Sequence, residues 1–313
     1  MNLFISTFES VSMLLLIGIL GFWIISRRIL AEQTLQFLSP LALNIALPCL
    51  AFTDIIRNFQ PDRLPGWWKL PLWWMGFTLF AGAMTLVFSL IAKKGVRREF
   101  AVSLMFQNAL FFPLAILAGL YGTDSPYVVD LFFFVMLFPP VFFSTYHLFF
   151  GRPGRKMEWK KILNPVLMAT LAAAVLQLAG LGGHIPDFSV KALKMVGGMA
   201  VPGLMIILGG NIYIDFRGKG KLYTFEIIKF VLVKNAAFPL ITLGLLMVIQ
   251  PAYNIALMFI LQSAVPPVTA IPIVVERAGG NRKIANQFVF TSFMVSLVSI
   301  PAMMFLFGVV FRN

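Results

Sequence analysis

The residues of this chain best suited to chemistry form two short groups of amides and hydroxyls, each beside proline in an otherwise apolar segment. The first segment carries Gln107, Asn108 and Pro113, and the second carries Gln262, Ser263, Pro266, Pro267 and Thr269. Amides and hydroxyls form hydrogen bonds but supply neither an acid nor a base near neutral pH, so they suit reversible binding of a polar ligand. The alternative role for each is to bond a backbone carbonyl freed by a broken helix.

Two ionisable residues lie inside apolar segments and suggest further chemistry. Lys234 is the one basic residue placed well inside such a segment. At that depth it is a candidate substrate-binding group, and the alternative is a side chain that snorkels to the cytoplasmic surface. Asp130 lies only one turn inside its segment, so we expect an interfacial or capping role there rather than a proton relay.

Residues that make or break covalent bonds are scarce in this sequence. The two histidines, His147 and His184, are far apart, and the single cysteine, Cys49, lies in an apolar run. We find no paired aspartates, no Ser/His pair and no metal-ligand spacing. The sequence therefore predicts no enzyme, no metal site and no cofactor.

The elements that position these residues are predicted to be membrane-spanning helices. The chain has 313 residues, of which 59% are hydrophobic and 12% charged, with a mean hydropathy of +0.89. Soluble domains carry about 25% charged residues, so lipid must solvate this chain. Continuous apolar runs of about 20 residues favour helices over a barrel. We predict ten spans, at about 5–25, 36–56, 67–92, 98–121, 126–150, 160–181, 188–214, 222–249, 252–278 and 283–311.

The basic residues predict the orientation of these spans. Of the 25 Lys and Arg residues, 18 fall in loops on one side and six on the other, with Lys234 left inside a span. The basic side should be cytoplasmic, which predicts a multi-pass protein of the cytoplasmic membrane with both termini outside. The net charge of +13 is explained by these loops, so we expect no nucleic-acid partner and a lipid bilayer instead.

The sequence also contains signs of an internal repeat. Ala46-Leu47-Pro48 in span 2 is matched by Ala200-Val201-Pro202 in span 7, and Gln107 in span 4 is matched by Gln262 in span 9 at nearly the same offset. The basic loop 151–161 separates residues 1–150 from 162–313. Because each half has five spans, the second half enters with opposite orientation. The predicted fold is an all-α membrane protein with ten helices in an inverted five-plus-five repeat.

Within this repeat, spans 4 and 9 are the corresponding interrupted helices. Proline lacks an N–H and clashes with the preceding turn, so we expect breaks at Pro113 and at Pro266 and Pro267. The second half of each helix then begins near the midplane, where its unpaired N–H groups favour a carboxylate. Paired interrupted helices are the best sequence pointer to a transporter's binding site.

Three segments resemble the auxin efflux carrier family, in particular its small bacterial members. They are AEQTLQFLSPLALNIALPCLAFTDI at 31–55, VPGLMIILGGNI at 201–212 and LQSAVPPVTAIPIVVERAGGN at 261–281. In span 4, Asn108 and Tyr121-Gly122 match the family pattern, whereas Pro113 stands where a glycine is expected and Ala115 where a proline is expected. The resemblance covers nearly the whole chain.

The resemblance implies a scaffold of spans 1, 2, 6 and 7 and a moving unit of spans 3–5 and 8–10 whose two broken helices cross. It implies transport of small organic anions, such as auxin or dicarboxylates, and it allows a homodimer through the scaffold helices. We therefore expect a secondary transporter that moves a carboxylate by elevator-like alternating access. The alternative is a sodium-coupled organic anion symporter of the bile-acid carrier type, which shares this plan but needs oxygen ligands for sodium.

Overall fold

The computed structural model of the chain describes residues 2–62, 64, 66–122, 125–151, 165–217 and 222–311. All regular elements in these ranges are helical, and one isolated antiparallel bridge joins Gln107 to Pro267. This confirms the predicted class of helical membrane protein. The predicted loop 151–161 lies outside the described residues except for Gly151.

The first half of the chain folds into eight α-helices, two of which are joined by a π-helical turn at Ala42–Ala46. They are α1 (Asn2–Ser26), α2 (Thr34–Leu41), α3 (Leu47–Asn58), α4 (Leu70–Phe88), α5 (Arg97–Met105), α6 (Phe111–Tyr121), α7 (Pro126–Phe134) and α8 (Phe138–Thr145).

The second half of the described chain also contains eight α-helices, and a π-helical turn at Leu232–Ala237 joins two of them. They are α9 (Pro165–Leu178), α10 (Asp187–Gly197), α11 (Ala200–Arg217), α12 (Thr224–Val231), α13 (Phe238–Ile249), α14 (Tyr253–Ala264), α15 (Ile271–Arg277) and α16 (Arg282–Val310).

Seven helical stretches of the described chain are long and apolar enough to cross a membrane. They are Phe4–Ser26, Thr34–Asn58, Trp67–Ile91, Pro126–Phe150, Asp187–Ile214, Thr224–Ile249 and Arg282–Val310. The other three predicted spans fall on shorter helices: 98–121 on α5 and α6, 160–181 on α9, and 252–278 on α14 and α15. The count of ten spans and the inverted repeat remain predictions.

Helices α1–α3 and α9–α11 pack together and form what we call the first group. Helix α1 lies along α11, and α3 lies against α9 and α10. A Cβ atom on Gly209 would overlap the backbone of Gly18, and one on Gly21 would overlap that of Ile206. Such close approach through glycine is typical of helix packing in membranes, so α1 and α11 form a tight pair.

Helices α4–α8 and α12–α16 form the second group, which contains both broken helices. Helix α5 packs against α4 and α16, while α14 packs against α7, α13 and α16. Their shared core is rich in phenylalanine: the rings of Phe100, Phe230 and Phe288 stack or meet edge to face. The two groups meet where α1 contacts α6 and α16, and where α3 contacts α7.

Buried carboxylates join the two halves of the second group at one of its ends. Glu99 Oε1 accepts a hydrogen bond from the Asn281 backbone N–H at 2.8 Å. Glu226 Oε2 accepts one from the Lys93 backbone N–H at 3.2 Å, and its other oxygen pairs with Lys229 at 2.9 Å. Both glutamates are buried, so these contacts fasten elements of the first half of the chain to elements of the second.

Candidate functional site

The two broken helices cross where their non-helical segments pair with each other. The Asn108 N–H donates to the Pro266 carbonyl at 2.8 Å, and the Val268 N–H donates to the Phe106 carbonyl at 3.0 Å. These two bonds satisfy backbone groups that both helices would otherwise leave free, which matters because hydrocarbon offers no replacement for water. We call residues 106–110 and 265–270 the crossing.

The break in the first helix lies before Pro113, so the predicted position of that break is wrong. Helix α5 ends at Met105 and α6 begins at Phe111, which makes Pro113 the third residue of α6. The missing N–H of proline costs nothing in the first turn, where N–H groups have no intrahelical partner. Pro266 and Pro267, by contrast, lie within the second break.

The start of α6 faces the crossing with backbone donors. Its first intrahelical bond runs from the Leu114 N–H to the Leu110 carbonyl, so the N–H groups of Phe111 and Phe112 lie outside the helix's own bonding. Helix α15 offers fewer free N–H donors at its start, because it has only seven residues and Pro272 at its second position has no N–H. The two restarting helices are therefore unequal, and the expectation of two matching helix N-termini is wrong.

Asn108 differs from the neighbouring amide, Gln107. Gln107 Nε2 donates to the Leu104 carbonyl at 3.1 Å, one turn back along the chain. Asn108 is 1% exposed, and its Nδ2 has no hydrogen-bond partner among the described residues. A buried donor without an acceptor costs about 1–3 kcal/mol, so this amide has unused hydrogen-bonding capacity at the crossing.

The polar residues of the second segment mostly bond to backbone carbonyls. Gln262 Nε2 donates to the Ala109 carbonyl at 2.7 Å, across the crossing, and Ser263 Oγ donates to the Ile260 carbonyl at 2.9 Å. Gln262 Oε1 is buried and without a donor in the described part of the chain. Thr269 is only partly buried and belongs to the segment 265–270 of the crossing. Gln262 thus fastens the two broken segments together.

Lys234 does not snorkel. Its side chain is 0% exposed, and Nζ donates to the Ser263 carbonyl at 2.9 Å. The ammonium also lies 4.8 Å from the centre of the Phe238 ring, a distance suited to a cation–π contact. Lys234 thus contacts the end of α14 beside the crossing, through a carbonyl rather than through an open surface.

The other ionisable group inside an apolar segment, Asp130, is buried within the protein. Its Oδ2 accepts a hydrogen bond from Asn254 Nδ2 at 2.9 Å, while Oδ1 has no partner within the described ranges. Nearby, the hydroxyls of Tyr121 and Tyr253 are 2.9 Å apart. These contacts join α6 and α7 to α14. Nothing in the sequence indicates this pairing of Asn254, an amide at the start of an apolar run.

In the part of the chain that the structure describes, no group of three or more His, Cys, Asp or Glu side chains is arranged to hold a metal ion. The donors at the crossing are amides, a hydroxyl and backbone N–H groups. These groups form hydrogen bonds and carry no permanent charge.

A helical, multi-pass membrane protein whose two interrupted helices cross at their breaks has the construction typical of secondary transporters. The family model described as membrane transport protein matches residues 6–158 and 150–304, nearly the whole chain. This protein belongs to that family, the auxin efflux carriers. Members of the family are transporters and not enzymes. No curated protein matches the chain.

Proposed function

We propose that this protein carries small organic anions, carboxylates or dicarboxylates, across the cytoplasmic membrane by alternating access. The observation that carries the proposal is the Asn108 amide, which is buried, lacks an acceptor among the described residues, and lies three residues before the start of α6. Its N–H donors and the free N–H groups of α6 suit a carboxylate, which accepts hydrogen bonds and is favoured at a helix N-terminus.

The substrate-binding role falls on fewer residues than the sequence suggested. Asn108 and Thr269 remain direct binding candidates. Gln107, Gln262 and Ser263 are bonded to carbonyls, so we assign them to holding the crossing in shape. Lys234 makes its hydrogen bond to the Ser263 carbonyl, so we assign it no direct contact with the substrate.

The ten-span arrangement with inverted halves, 1–150 and 162–313, is part of this proposal. Helices α5 and α6 together contain 20 residues (9 and 11) and α14 and α15 contain 19 (12 and 7). At 1.5 Å per residue each pair reaches about 30 Å, the thickness of a bilayer core, whereas no single half does. The length of the pairs therefore supports two broken spans in addition to the continuous ones.

An elevator-like movement of the second group against the first is the form of alternating access that we propose. Support comes from the fastening of the second group at both ends, by Glu99 and Glu226 at one end and by Asp130 at the other. A unit fastened in this way moves as one body and carries the crossing with it. The first group would stay in place, as a scaffold that also offers surface for a homodimer.

Uptake into liposomes tests this function. Purified protein would be reconstituted and assayed with radiolabelled malonate, malate and indole-3-acetate, with protein-free liposomes as the control. We expect saturable uptake of at least one carboxylate. Uptake of none of the three would contradict the proposal.

The sodium-coupled alternative is tested in the same liposomes. Gln262 Oε1 is a buried oxygen without a donor in the described residues, but neither 106–110 nor 265–270 contains an acidic residue. Sodium requires several oxygen ligands. We therefore expect uptake to persist when sodium is replaced by potassium at fixed potential, and its loss would favour the bile-acid type of carrier.

A further inference from the structure

Lys234 occupies an unusual position, in the π-helical turn Leu232–Ala237 between α12 and α13. Such turns add a residue to the helix and re-aim a side chain, often at functional sites. Here the re-aimed ammonium contacts the carbonyl of Ser263, the next-to-last residue of α14. The carbonyl end of a helix attracts a cation, so the lysine is drawn to the crossing.

The Lys234 ammonium makes fewer hydrogen bonds than it can. An ammonium has three N–H donors, and the Ser263 carbonyl is the one acceptor that the described residues offer it. It forms no ion pair within the described chain. The elements packed against the turn are α12, α13, α14 and α16, and their titratable side chains lie toward helix ends: Glu226 and Lys229 on α12, Tyr253 on α14, and Arg282 and Lys283 on α16.

A short chain of contacts links Lys234 to the proposed anion site. The lysine contacts the carbonyl of Ser263, and the preceding residue, Gln262, donates to the Ala109 carbonyl on the other broken helix. Ala109 is adjacent to Asn108. Lys234 and Asn108 are thus joined by two hydrogen bonds and two pairs of adjacent residues, and a carboxylate at Asn108 would supply the negative charge that the surroundings of the lysine lack.

We propose that Lys234 is the proton carrier of this transporter: it takes up one proton as a carboxylate binds at the crossing and gives it up as the carboxylate leaves. The lone pair of the neutral amine accepts the proton from a hydronium ion on the side from which the carboxylate enters, so that one O–H bond breaks as the N–H bond forms and water is left. The ammonium returns the proton to water as the carboxylate leaves. An unpaired charge is costly at this depth in a membrane, whereas the ammonium and the carboxylate offset each other. The inference rests on the proposed function, and it adds the coupling ion.

One other buried group competes for this role. Asp130 is 2% exposed and has an oxygen without a partner among the described residues. It lies at the far end of α14 from Ser263, however, because its partner Asn254 is the second residue of that helix. With a rise of 1.5 Å per residue, about 14 Å of helix separates Asn254 from Ser263. Asp130 is therefore too distant to sense the anion directly.

The test measures protons and carboxylate together. Liposomes containing the purified protein and an internal pH dye would be given radiolabelled malonate, whose dianion does not cross lipid. Wild-type protein should move one proton with each malonate. Lys234→Arg keeps a permanent charge, so it should retain malonate exchange across the membrane while net uptake falls at least about tenfold and carries no proton.

Three further variants complete the experiment. Lys234→Met is neutral and similar in length, and it should also lose the proton flux. Thermal unfolding verifies that this variant folds, and it replaces Lys234→Arg in the test if the arginine variant does not fold. Lys229→Met, in the same span but paired with Glu226, should keep both fluxes. Asp130→Asn should keep the proton flux as well.

Several results would overturn the inference. Malonate uptake by the wild-type protein without a proton flux would overturn the proton-carrier role of Lys234 but not the proposed carrier function. A proton flux that survives in Lys234→Arg or Lys234→Met would also overturn the inference. Loss of the proton flux in Asp130→Asn alone would show that the aspartate carries the proton instead. Absence of uptake of any labelled carboxylate would overturn the proposed function together with this inference.

Discussion

Replacing Asn108 by alanine should weaken substrate binding without weakening the protein. The Asn108 amide nitrogen has no partner in the described residues, so its removal breaks no side-chain donor bond within the protein. In the loaded carrier it donates to a carboxylate, and losing a hydrogen bond to a charged group costs about 1.5–3 kcal/mol. The expected result is a rise of about 10- to 150-fold in the KM for malonate.

Gln262→Ala is the matched control for this variant. Both residues carry buried amides at the crossing, but Gln262 Nε2 donates to the Ala109 carbonyl. Its loss leaves a buried acceptor unpaired, which should lower the free energy of unfolding by about 1–3 kcal/mol. We therefore expect a lower Tm for Gln262→Ala than for Asn108→Ala, measured by tryptophan fluorescence in detergent.

The isosteric change Asn108→Asp sharpens the comparison, because it removes the donor and adds a negative charge where the substrate charge should lie. We expect no measurable malonate uptake from this variant. The reasoning is refuted if Asn108→Ala lowers Tm as much as Gln262→Ala does while the KM for malonate stays unchanged. The amide would then serve the fold and not the substrate.

Two other predictions concern topology and movement. The topology is tested with Cys49 changed to alanine. A cysteine in place of Gln60 should react with an impermeant thiol reagent on intact cells, whereas a cysteine in place of Lys94 should react only after lysis. The reverse pattern would contradict the orientation predicted from charge. In the same background, Ser10→Cys with Gly119→Cys should form a disulfide between α1 and α6. A Cβ atom at Gly119 would lie 3.0 Å from that of Ser10, and moving the two helices apart by less than about 1 Å gives the Cβ spacing of a disulfide. Oxidation should stop malonate uptake and reduction restore it, whereas full uptake by the cross-linked protein would contradict movement of α6 against α1.

The class of fold could be predicted from the sequence because apolar composition dominates it. Long apolar runs leave helices as the form that satisfies the backbone in lipid, and all regular elements in the described ranges are helical. The exact course of a span is harder to predict. The run 98–121 is continuous in hydropathy, yet the helix stops at Met105 and restarts at Phe111.

The position of that break depends on a contact that one sequence does not reveal. Asn108 leaves the helix to donate its N–H to the Pro266 carbonyl, more than 150 residues away. Pro113 suggested a later break because proline is disfavoured inside helices, but in a first turn it is tolerated. Local chemistry therefore predicted that the helix breaks, and the partner segment determines where.

The roles of the site residues likewise could be predicted only in part. The sequence shows which residues carry amides and buried charge, and these residues do lie at or beside the crossing. It does not show which carbonyl each one reaches. Gln107 and Gln262 find backbone acceptors and Asn108 does not, while Lys234 reaches Ser263 only because of the π-helical turn.

Counterflow tests the central claim most directly, because it requires a carrier that binds its substrate on both sides of the membrane. Liposomes containing the protein would be loaded with unlabelled malonate and diluted into labelled malonate. A transient accumulation of label inside is expected, and unlabelled malonamide, the neutral amide of the same shape, should not replace malonate in the lumen. Accumulation driven equally well by malonamide, or no accumulation from any carboxylate pair, would contradict the assignment of this protein as a carboxylate carrier.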